Sequence, residues 1–225
     1  VVKHMAYDSQ SNASICNASI CMEGGKRLTG TVRIQGSKNA VLPVMAASLL
    51  HKGTVRIKNV PEIQDVFCML EILRLLGCVC EFRDHVVTIQ GEHALPSQIP
   101  DACCKQMRSS IMLLGPMLGR FGEAGVSHPG GCSIGKRPVD LHLAAMESLG
   151  ASVQVEGERI LAQAPRLEGA GIRLSFPSVG ATENALMAAA GGRGVTWIHG
   201  AAMEPEIQVL CEFLKALGAE IQGAG

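Results

Sequence analysis

The segment GTVRIKNVPEIQDVFCMLEILRLLGC, residues 53–78, carries the pattern that decides the fold. Val55 and Ile57, both β-branched, predict a strand here. Downstream, apolar side chains recur at the spacing of one helix face: Val66, Met69, Leu70, Leu73 and Leu76. Gly77 then suits the helix end, because glycine readily adopts the left-handed backbone required there. The segment therefore predicts a strand followed by an amphipathic helix.

The same block occurs three times along the chain. The later copies run from Gly125 to Gly150 and from Gly194 to Gly218, so the three blocks have nearly equal lengths and recur at nearly equal intervals. Such self-similarity indicates repeated supersecondary units. The sequence also predicts helices rich in small residues over 39–50, 107–118 and 182–190, and strands over 79–82, 86–90, 152–155 and 160–163.

These elements predict a mixed α/β (α+β) fold of three β-α-β-α-β-β units. We expect three organisational segments. Residues 1–23 are a polar leader that we expect to be poorly ordered, and residues 24–36 hold a strand at 31–34. Residues 37–225 form the domain of three repeats, in which the last unit stops where its final hairpin strand should follow. We therefore expect the chain to be a fragment.

Composition limits the function classes. A chain of 225 residues that is 47% hydrophobic can bury a sizeable core, and its 20 basic and 20 acidic residues cancel. This balance argues against a nucleic-acid partner, since phosphate-backbone binding needs a basic excess. The sequence shows neither an apolar run long enough to span a bilayer nor a signal peptide. Nine scattered cysteines lack a zinc-site or disulfide framework and indicate reduced thiols in the cytoplasm.

The starts of the small-residue helices suggest an anion-binding face. Lys38 follows a Gly-Ser turn, Arg108 precedes Ser109, and residues 178–182 supply hydroxyl groups and a glycine. Helix N-termini present unpaired N–H groups that favour phosphate or carboxylate ligands. Spacing alone favours a plain helix cap with a solvated lysine at residues 36–39. Anion binding becomes an equally good explanation if the repeat places all three starts on one rim.

Residues 129–142, PGGCSIGKRPVDLH, form the segment richest in chemistry. Its glycines allow close approach to a ligand, and Cys132 lies near Lys136, Arg137 and His142. Neighbouring cations lower the pKa of a thiol and make it reactive. The alternative is a buried structural cysteine with Asp140 as a helix cap. For the other eight cysteines we favour the structural interpretation.

Three stretches together resemble a known family. PGGCSIGKRPVDLH, with GSKNAVLP at 36–43 and FPSVGATEN at 176–184, resembles the UDP-N-acetylglucosamine 1-carboxyvinyltransferases of the enolpyruvyl transferase family. The resemblance runs from about Gly25 to the end of the chain. The shikimate-pathway enzymes of the same fold do not carry this cysteine loop. The resemblance implies that the three units form an inside-out α/β barrel domain.

The resemblance also implies a reaction. In this family the enolpyruvyl group of phosphoenolpyruvate is transferred to the 3-hydroxyl of UDP-N-acetylglucosamine, the first committed step of peptidoglycan synthesis. No metal or organic cofactor is required. The cysteine matching Cys132 donates a proton to phosphoenolpyruvate and is the target of fosfomycin.

The residue-by-residue match implies a set of site residues. Those with catalytic roles are Cys132, Lys38 and Arg137. Those that bind substrate are Lys38, Asn39, Arg108, Arg137, Pro138, Val139, Asp140, Leu141, His142, Phe176, Pro177, Ser178, Val179 and Gly180. Small molecules are thus the expected partners, with neither nucleic acid nor membrane among them.

Family members have two such domains, and their substrates bind in the cleft between them. We expect residues 24–36 to pack on a second domain that this chain lacks, and this chain alone to show little or no turnover. Two alternatives stay open. One is a non-catalytic UDP-sugar-binding fragment or paralogue on the same scaffold, and the other is a repeat protein without a ligand.

Overall fold

The computed structural model describes residues 24–25, 27, 29–96, 99–127 and 139–224. The chain divides into two units, Val1–Ile34 and Gln35–Gly225. The helices of the second unit are α1 (Lys38–Ala47), α2 (Gln64–Leu75), α3 (Asp101–Gln106), α4 (Leu114–Phe121), α5 (Asp140–Ser148), α6 (Val179–Gly191) and α7 (Pro205–Ala216), with 3-10 helices at Ser48–Leu50 and Arg108–Leu113. Its strands are β1 (Thr54–Lys58), β2 (Val79–Arg83), β3 (Val86–Gln90), β4 (Glu123–Ser127), β5 (Ser152–Glu156), β6 (Arg159–Gln163), β7 (Gly171–Arg173) and β8 (Trp197–His199). The mixed α/β class predicted from the sequence is confirmed.

Two antiparallel sheets share one topology. Their strand orders are β1-β3-β2 and β4-β6-β5, so in each the strand that opens the block pairs with the last strand of the following hairpin. The central strands bury one face, with Val87 and Ile89 in the first sheet and Ile160 and Ala162 in the second. This alternation follows from the two-residue period of a strand. The third sheet is different, because β7 and β8 pair in parallel and α6 connects them.

The three block helices end in the same way. The closing glycines have positive φ values: 88° at Gly77, 92° at Gly150 and 104° at Gly218. In each case the glycine N–H and the N–H of the next residue donate back to carbonyls of the last helical turn. The pairs are Gly77 to Arg74 and Cys78 to Leu73, Gly150 to Glu147 and Ala151 to Met146, and Gly218 to Lys215 and Ala219 to Leu214. This is the Schellman arrangement, and it confirms the predicted glycine role in all three blocks.

Helices α4 and α6 pack closely in the core. A Cβ atom added to Gly191 would lie 2.5 Å from the Cα atom of Gly119, closer than real Cβ atoms approach. The glycines therefore let the two backbones meet. Buried side chains such as Met117 and Met187 fill the space around them. No helix in the described part of the chain is long and apolar enough to cross a membrane.

One local prediction was wrong, and the strand predicted at 31–34, which we expect to pair outside this chain, stays a prediction. The helix predicted over 107–118 is a 3-10 helix at Arg108–Leu113 followed by α4. Pro116 is the third residue of α4 and agrees with this boundary, because a proline ring clashes with the carbonyl four residues earlier and is tolerated best in the first turn of an α-helix. Residues 31–34 form no sheet strand with any described residue. An extended segment needs a pairing partner for its backbone groups to form a sheet.

The six-element unit is also incomplete. Among the described residues, each of the first two blocks contains the order α-β-α-β-β. Within that described part, the strand predicted at the beginning of every unit is present only in the third block, as β7. In the second block the short helix α3 precedes the small-residue helix instead.

Candidate active site

The starts of several helices line one cavity of about 850 Å³. The first residues of α1 and α6 and part of the 3-10 helix at Arg108–Leu113 meet there, as the anion-binding hypothesis required. The first turns of α2 and α7 and the start of α5 complete the described walls. The lining residues are Lys38, Asn39, Leu42, Pro43, Asp65, Met107, Ser109, Ile111, Met112, Val139, His142, Phe176, Pro177, Ser178, Val179, Gly180, Glu183 and Glu206.

Lys38 at the first position of α1 is paired with Asp65. Its Nζ atom lies 2.8 Å from Asp65 Oδ2, and the two side chains are 53% and 33% exposed. The pair is therefore solvated and can exchange partners. Within α1, Pro43 has no N–H, so the carbonyl of Asn39 lacks the donor that an α-helix normally supplies. The start of α1 thus offers the cavity a cation.

Helix α6 begins at the cavity wall, three residues earlier than the sequence predicted. Ser178 is its N-cap, with its hydroxyl accepting a hydrogen bond from the Ala181 N–H at 3.4 Å. The N–H groups of Val179 and Gly180 lie in the first turn, where no helical carbonyl can pair with them. Because N-terminal N–H groups and the helix dipole favour negative charge, this wall suits an anionic ligand.

A buried amide fixes His142 against α6. The Asn184 Nδ2 group donates to Ile111 O at 2.9 Å and to His142 Nδ1 at 2.8 Å, and its Oδ1 atom accepts from the Gly115 N–H at 2.9 Å. Since Nδ1 accepts, the proton of the neutral ring is on Nε2. A Cβ atom on Gly180 would lie 3.0 Å from His142 Cε1. The imidazole is therefore held at the start of α6 by hydrogen bonds and by contact.

The wall formed by α6 and α7 carries two carboxyl groups. Glu183 is 4% exposed, and burial, together with the nearby Glu206 charge, raises the pKa of its carboxyl group to about 8. At neutral pH Glu183 is thus mostly a neutral acid. Glu206, half-buried at the second position of α7, accepts from Asn39 Nδ2 at 3.4 Å.

Sequence reasoning missed Asp65, Glu183 and Glu206. The internal repeat held a signal for two of them, because Asp65 and Glu206 are each the second residue of a block helix, α2 and α7. Acids favour that position on any helix, so the position alone does not indicate a ligand site. Glu183 follows Thr182 inside an apolar helix, and only tertiary packing shows that it faces the cavity.

The predicted site residues fall into three groups. Those that line the cavity are Lys38, Asn39, Val139, His142, Phe176, Pro177, Ser178, Val179 and Gly180. Asp140 is exposed and Leu141 packs against the core, and neither lines this cavity. Cys132, Arg137 and Pro138, and the side chain of Arg108, lie outside the described residues.

Several other cysteines have the chemistry of unreactive thiols. Burial raises the pKa of Cys78, Cys103 and Cys211, and burial with the neighbouring Cys78 raises that of Cys80 to about 12. A raised pKa keeps the thiol protonated and a poor nucleophile at neutral pH. The raised pKa of these four cysteines agrees with the structural interpretation, which stays a prediction. Within the described ranges, no three His, Cys, Asp or Glu side chains come together as a metal site.

Solved structures with this architecture are enolpyruvyl transferases. The enolpyruvyl transferase NikO from Streptomyces tendae matches 90% of this chain and 48% of its own, with a TM-score of 0.78 and 26% identity. An EPSP synthase from Acinetobacter baumannii matches 87% of this chain and 45% of its own, with a TM-score of 0.65 and 22% identity. The fold of this chain is therefore that of the enolpyruvyl transferases.

The chain belongs to the EPSP synthase (3-phosphoshikimate 1-carboxyvinyltransferase) family, whose model matches residues 22–225. Similar curated proteins are UDP-N-acetylglucosamine 1-carboxyvinyltransferase 2 of Carboxydothermus hydrogenoformans, 48% identical over 91% of this chain, and UDP-N-acetylglucosamine 1-carboxyvinyltransferase 1 of Halalkalibacterium halodurans, 45% identical over 92%. The chain spans about half the length of these relatives, 49% and 47%.

Proposed function

We propose that this chain is one domain of an enzyme that transfers the enolpyruvyl group of phosphoenolpyruvate to the 3-hydroxyl of UDP-N-acetylglucosamine. The observation that carries the proposal is the cavity. Two separate family-like stretches, GSKNAVLP and FPSVGATEN, meet there, and the third, PGGCSIGKRPVDLH, enters it through Val139 and His142. The names of the similar proteins supply the substrates.

The reaction needs a proton donor and an anion site. Protonation of the phosphoenolpyruvate methylene group makes C2 electrophilic, and the sugar oxygen then bonds to C2 as its hydroxyl proton leaves. The resulting tetrahedral ketal loses phosphate from C2 and a proton from the new methyl group, which restores the enol ether. Phosphoenolpyruvate carries a phosphate and a carboxylate, and Lys38 with the start of α6 offers positive potential for one of them.

We assign the residue roles by the family match. Cys132 is the proton donor, and Lys38 and Arg137 bind the charged groups of phosphoenolpyruvate together with Asn39 and Arg108. Pro138, Val139, Asp140, Leu141 and His142 hold the uridine nucleotide on one side. Phe176, Pro177, Ser178, Val179 and Gly180 form the opposite wall, and these five line the described cavity.

The proposal extends to the architecture of the whole enzyme. The two sheets of like topology and the buried helices α1, α4 and α6 support an inside-out barrel of three repeats, with the small-residue helices at its centre. A second domain, to which residues 24–36 belong, would close the cavity. It would also supply the base for the sugar hydroxyl. We therefore expect this chain alone to bind ligands but to turn over little or nothing, and to belong to a cytoplasmic pathway of cell-wall synthesis.

Fosfomycin labelling tests the proposed function. Intact-mass and peptide mass spectrometry after incubation with the epoxide should show one adduct, located on Cys132, and Cys132→Ser should abolish it. Cys103→Ser is the matched control and should label like the wild type, because burial raises the pKa of Cys103. UDP-N-acetylglucosamine binding without an adduct would favour a non-catalytic sugar binder. Absence of both would refute the proposal.

A further inference from the structure

Glu183 is a cavity residue to which the proposed reaction gives no role. It lies on the second turn of α6, is 4% exposed, and lines the same cavity as Lys38 and Asn39. It has no hydrogen-bond or ion-pair partner anywhere in the described ranges. Burying an ionised carboxylate without a partner is costly, so such a group stays neutral or serves a purpose that offsets the cost.

The elements that pack against α6 or line the same cavity carry several ionisable groups. Helix α7 presents Glu206, and α1 presents Lys38, which is already paired with Asp65 of α2. On α5, the His142 ring accepts at Nδ1 from Asn184. Arg120 of α4 donates to the carbonyls of Leu49 and Gly91, and the side chain of Arg108 in the 3-10 helix is not described. Burial is the main cause that favours the neutral form of Glu183, and the negative charge of Glu206 is the second.

Glu206 connects Glu183 to a proposed substrate contact. Its Oε1 atom accepts from Asn39 Nδ2 at 3.4 Å, which orients the amide at the start of α1. With Glu183 neutral, the wall carries one carboxylate, and the first turn of α7 stabilises that charge through the helix dipole. With both acids ionised, Glu206 would face a like charge across the α6–α7 packing, and the cavity would gain a second negative charge.

We propose that Glu183 is a positioning residue, which in its neutral form leaves Glu206 as the single carboxylate that orients the Asn39 amide and keeps the cavity open to anionic ligands. The inference rests on the proposed function for the identity of those ligands. It predicts that loss of the Glu183 proton releases Asn39 and weakens anion binding together. A merely structural Glu183 would change stability without moving Asn39 or the pH profile of binding.

NMR titration of the full chain tests the positioning role without any ligand. The side-chain carboxyl carbon of Glu183, assigned in the wild type by through-bond correlation to its own backbone amide, should titrate with a midpoint near pH 8. The Asn39 side-chain amide signals should move with the same midpoint and stay fixed over that range in Glu183→Gln. Glu204→Gln, an exposed acid at the N-cap of α7, is the matched control and should leave both curves unchanged.

A second series measures phosphoenolpyruvate binding by calorimetry at pH 7.5 and pH 9. If only the protonated form binds, a midpoint near 8 lowers the apparent affinity of the wild type roughly eightfold between these pH values. In Glu183→Gln, where the amide stays neutral, the change should be less than about twofold.

The outcomes separate the two proposals. A Glu183 midpoint below about 6, or Asn39 signals that ignore it, would overturn the positioning role, and the wild-type titration decides this even if the variant does not fold. Equal pH dependence of binding in the wild type and Glu183→Gln would overturn it as well. Coupled titration of Glu183 and Asn39 without phosphoenolpyruvate binding at either pH would support the positioning role and refute the proposed function.

Discussion

The two acidic contacts at the start of α1 occupy equivalent places in the repeat but differ in chemistry. Lys38 contacts Asp65 on α2, and the next residue, Asn39, contacts Glu206 on α7. The first contact joins opposite charges in solvent. The second lies on the wall that also carries Glu183, a carboxyl group that burial keeps protonated and uncharged at neutral pH. The wall of α2 therefore responds to salt, and the wall of α7 responds to pH. The comparison teaches that the charge of this cavity depends on neighbours and burial as much as on residue type.

The largest expected effect is a loss of stability when the Asn184 side-chain amide is removed, because its hydrogen bonds lie in the core behind the wall formed by α6 and α7. Asn184→Ala removes the buried amide that satisfies the Ile111 carbonyl, the Gly115 N–H and His142 Nδ1. Buried polar groups left without partners cost about 1–3 kcal/mol each, so the three groups together predict a loss of about 3–9 kcal/mol in the free energy of unfolding. Urea denaturation measures it.

Asn39→Ala is the matched control, since Asn39 is exposed and makes one long hydrogen bond. Its effect on the free energy of unfolding should stay within about 0.5 kcal/mol. Equal losses in the free energy of unfolding would contradict the claim that Asn184 is a buried structural group whereas Asn39 is a solvated one.

The next effect is the pH dependence of stability. Glu183 has a raised pKa of about 8 in the folded chain against an ordinary value of 4.5. Between these values the folded state holds a proton that the unfolded state has released, so stability falls as pH rises through this window and levels off above it. The slope from this group is at most about 1.4 kcal/mol per pH unit.

Glu183→Gln should remove that slope, so the variant gains stability over the wild type as pH rises from 5 to 8. Denaturation curves at several pH values measure the difference, and Glu204→Gln should follow the wild type. Parallel curves for the wild type and Glu183→Gln would show that Glu183 ionises normally in the folded chain.

The smallest effect belongs to the solvated pair. Lys38→Ala should change the free energy of unfolding by less than about 1 kcal/mol, because exposed ion pairs contribute little and salt screens them. The same change should weaken phosphoenolpyruvate binding strongly, since it removes a cation from the cavity. A large stability loss with unchanged binding would mean that Lys38 is structural. Lys52→Ala, on an exposed residue outside the cavity, is the control.

Sequence reasoning reached the fold through its repeated signals. The glycines at 77, 150 and 218 and the apolar spacing between residues 66 and 76 predict helix ends and buried faces that the structure contains. Local rules sufficed because each signal acts within one or two helical turns. The 3-10 helix before Pro116 was missed, although the proline itself marks where the α-helix can begin.

The cavity was predictable only in part. Charged and glycine-rich helix starts indicate a ligand, and the repeat suggested that they share a face. Glu183 could not be found this way, because its neutrality depends on burial and on Glu206, which is distant in sequence. The Asn184 amide likewise joins three segments that no local pattern connects.

UDP-N-acetylglucosamine titration followed by backbone amide NMR tests the central claim most directly. The account predicts saturable shifts at Val139, at His142 and at residues 176–180, with a perturbation map centred on the described cavity. Saturable shifts confined to other surfaces, or none at millimolar ligand, would contradict the assignment of this cavity as the substrate site.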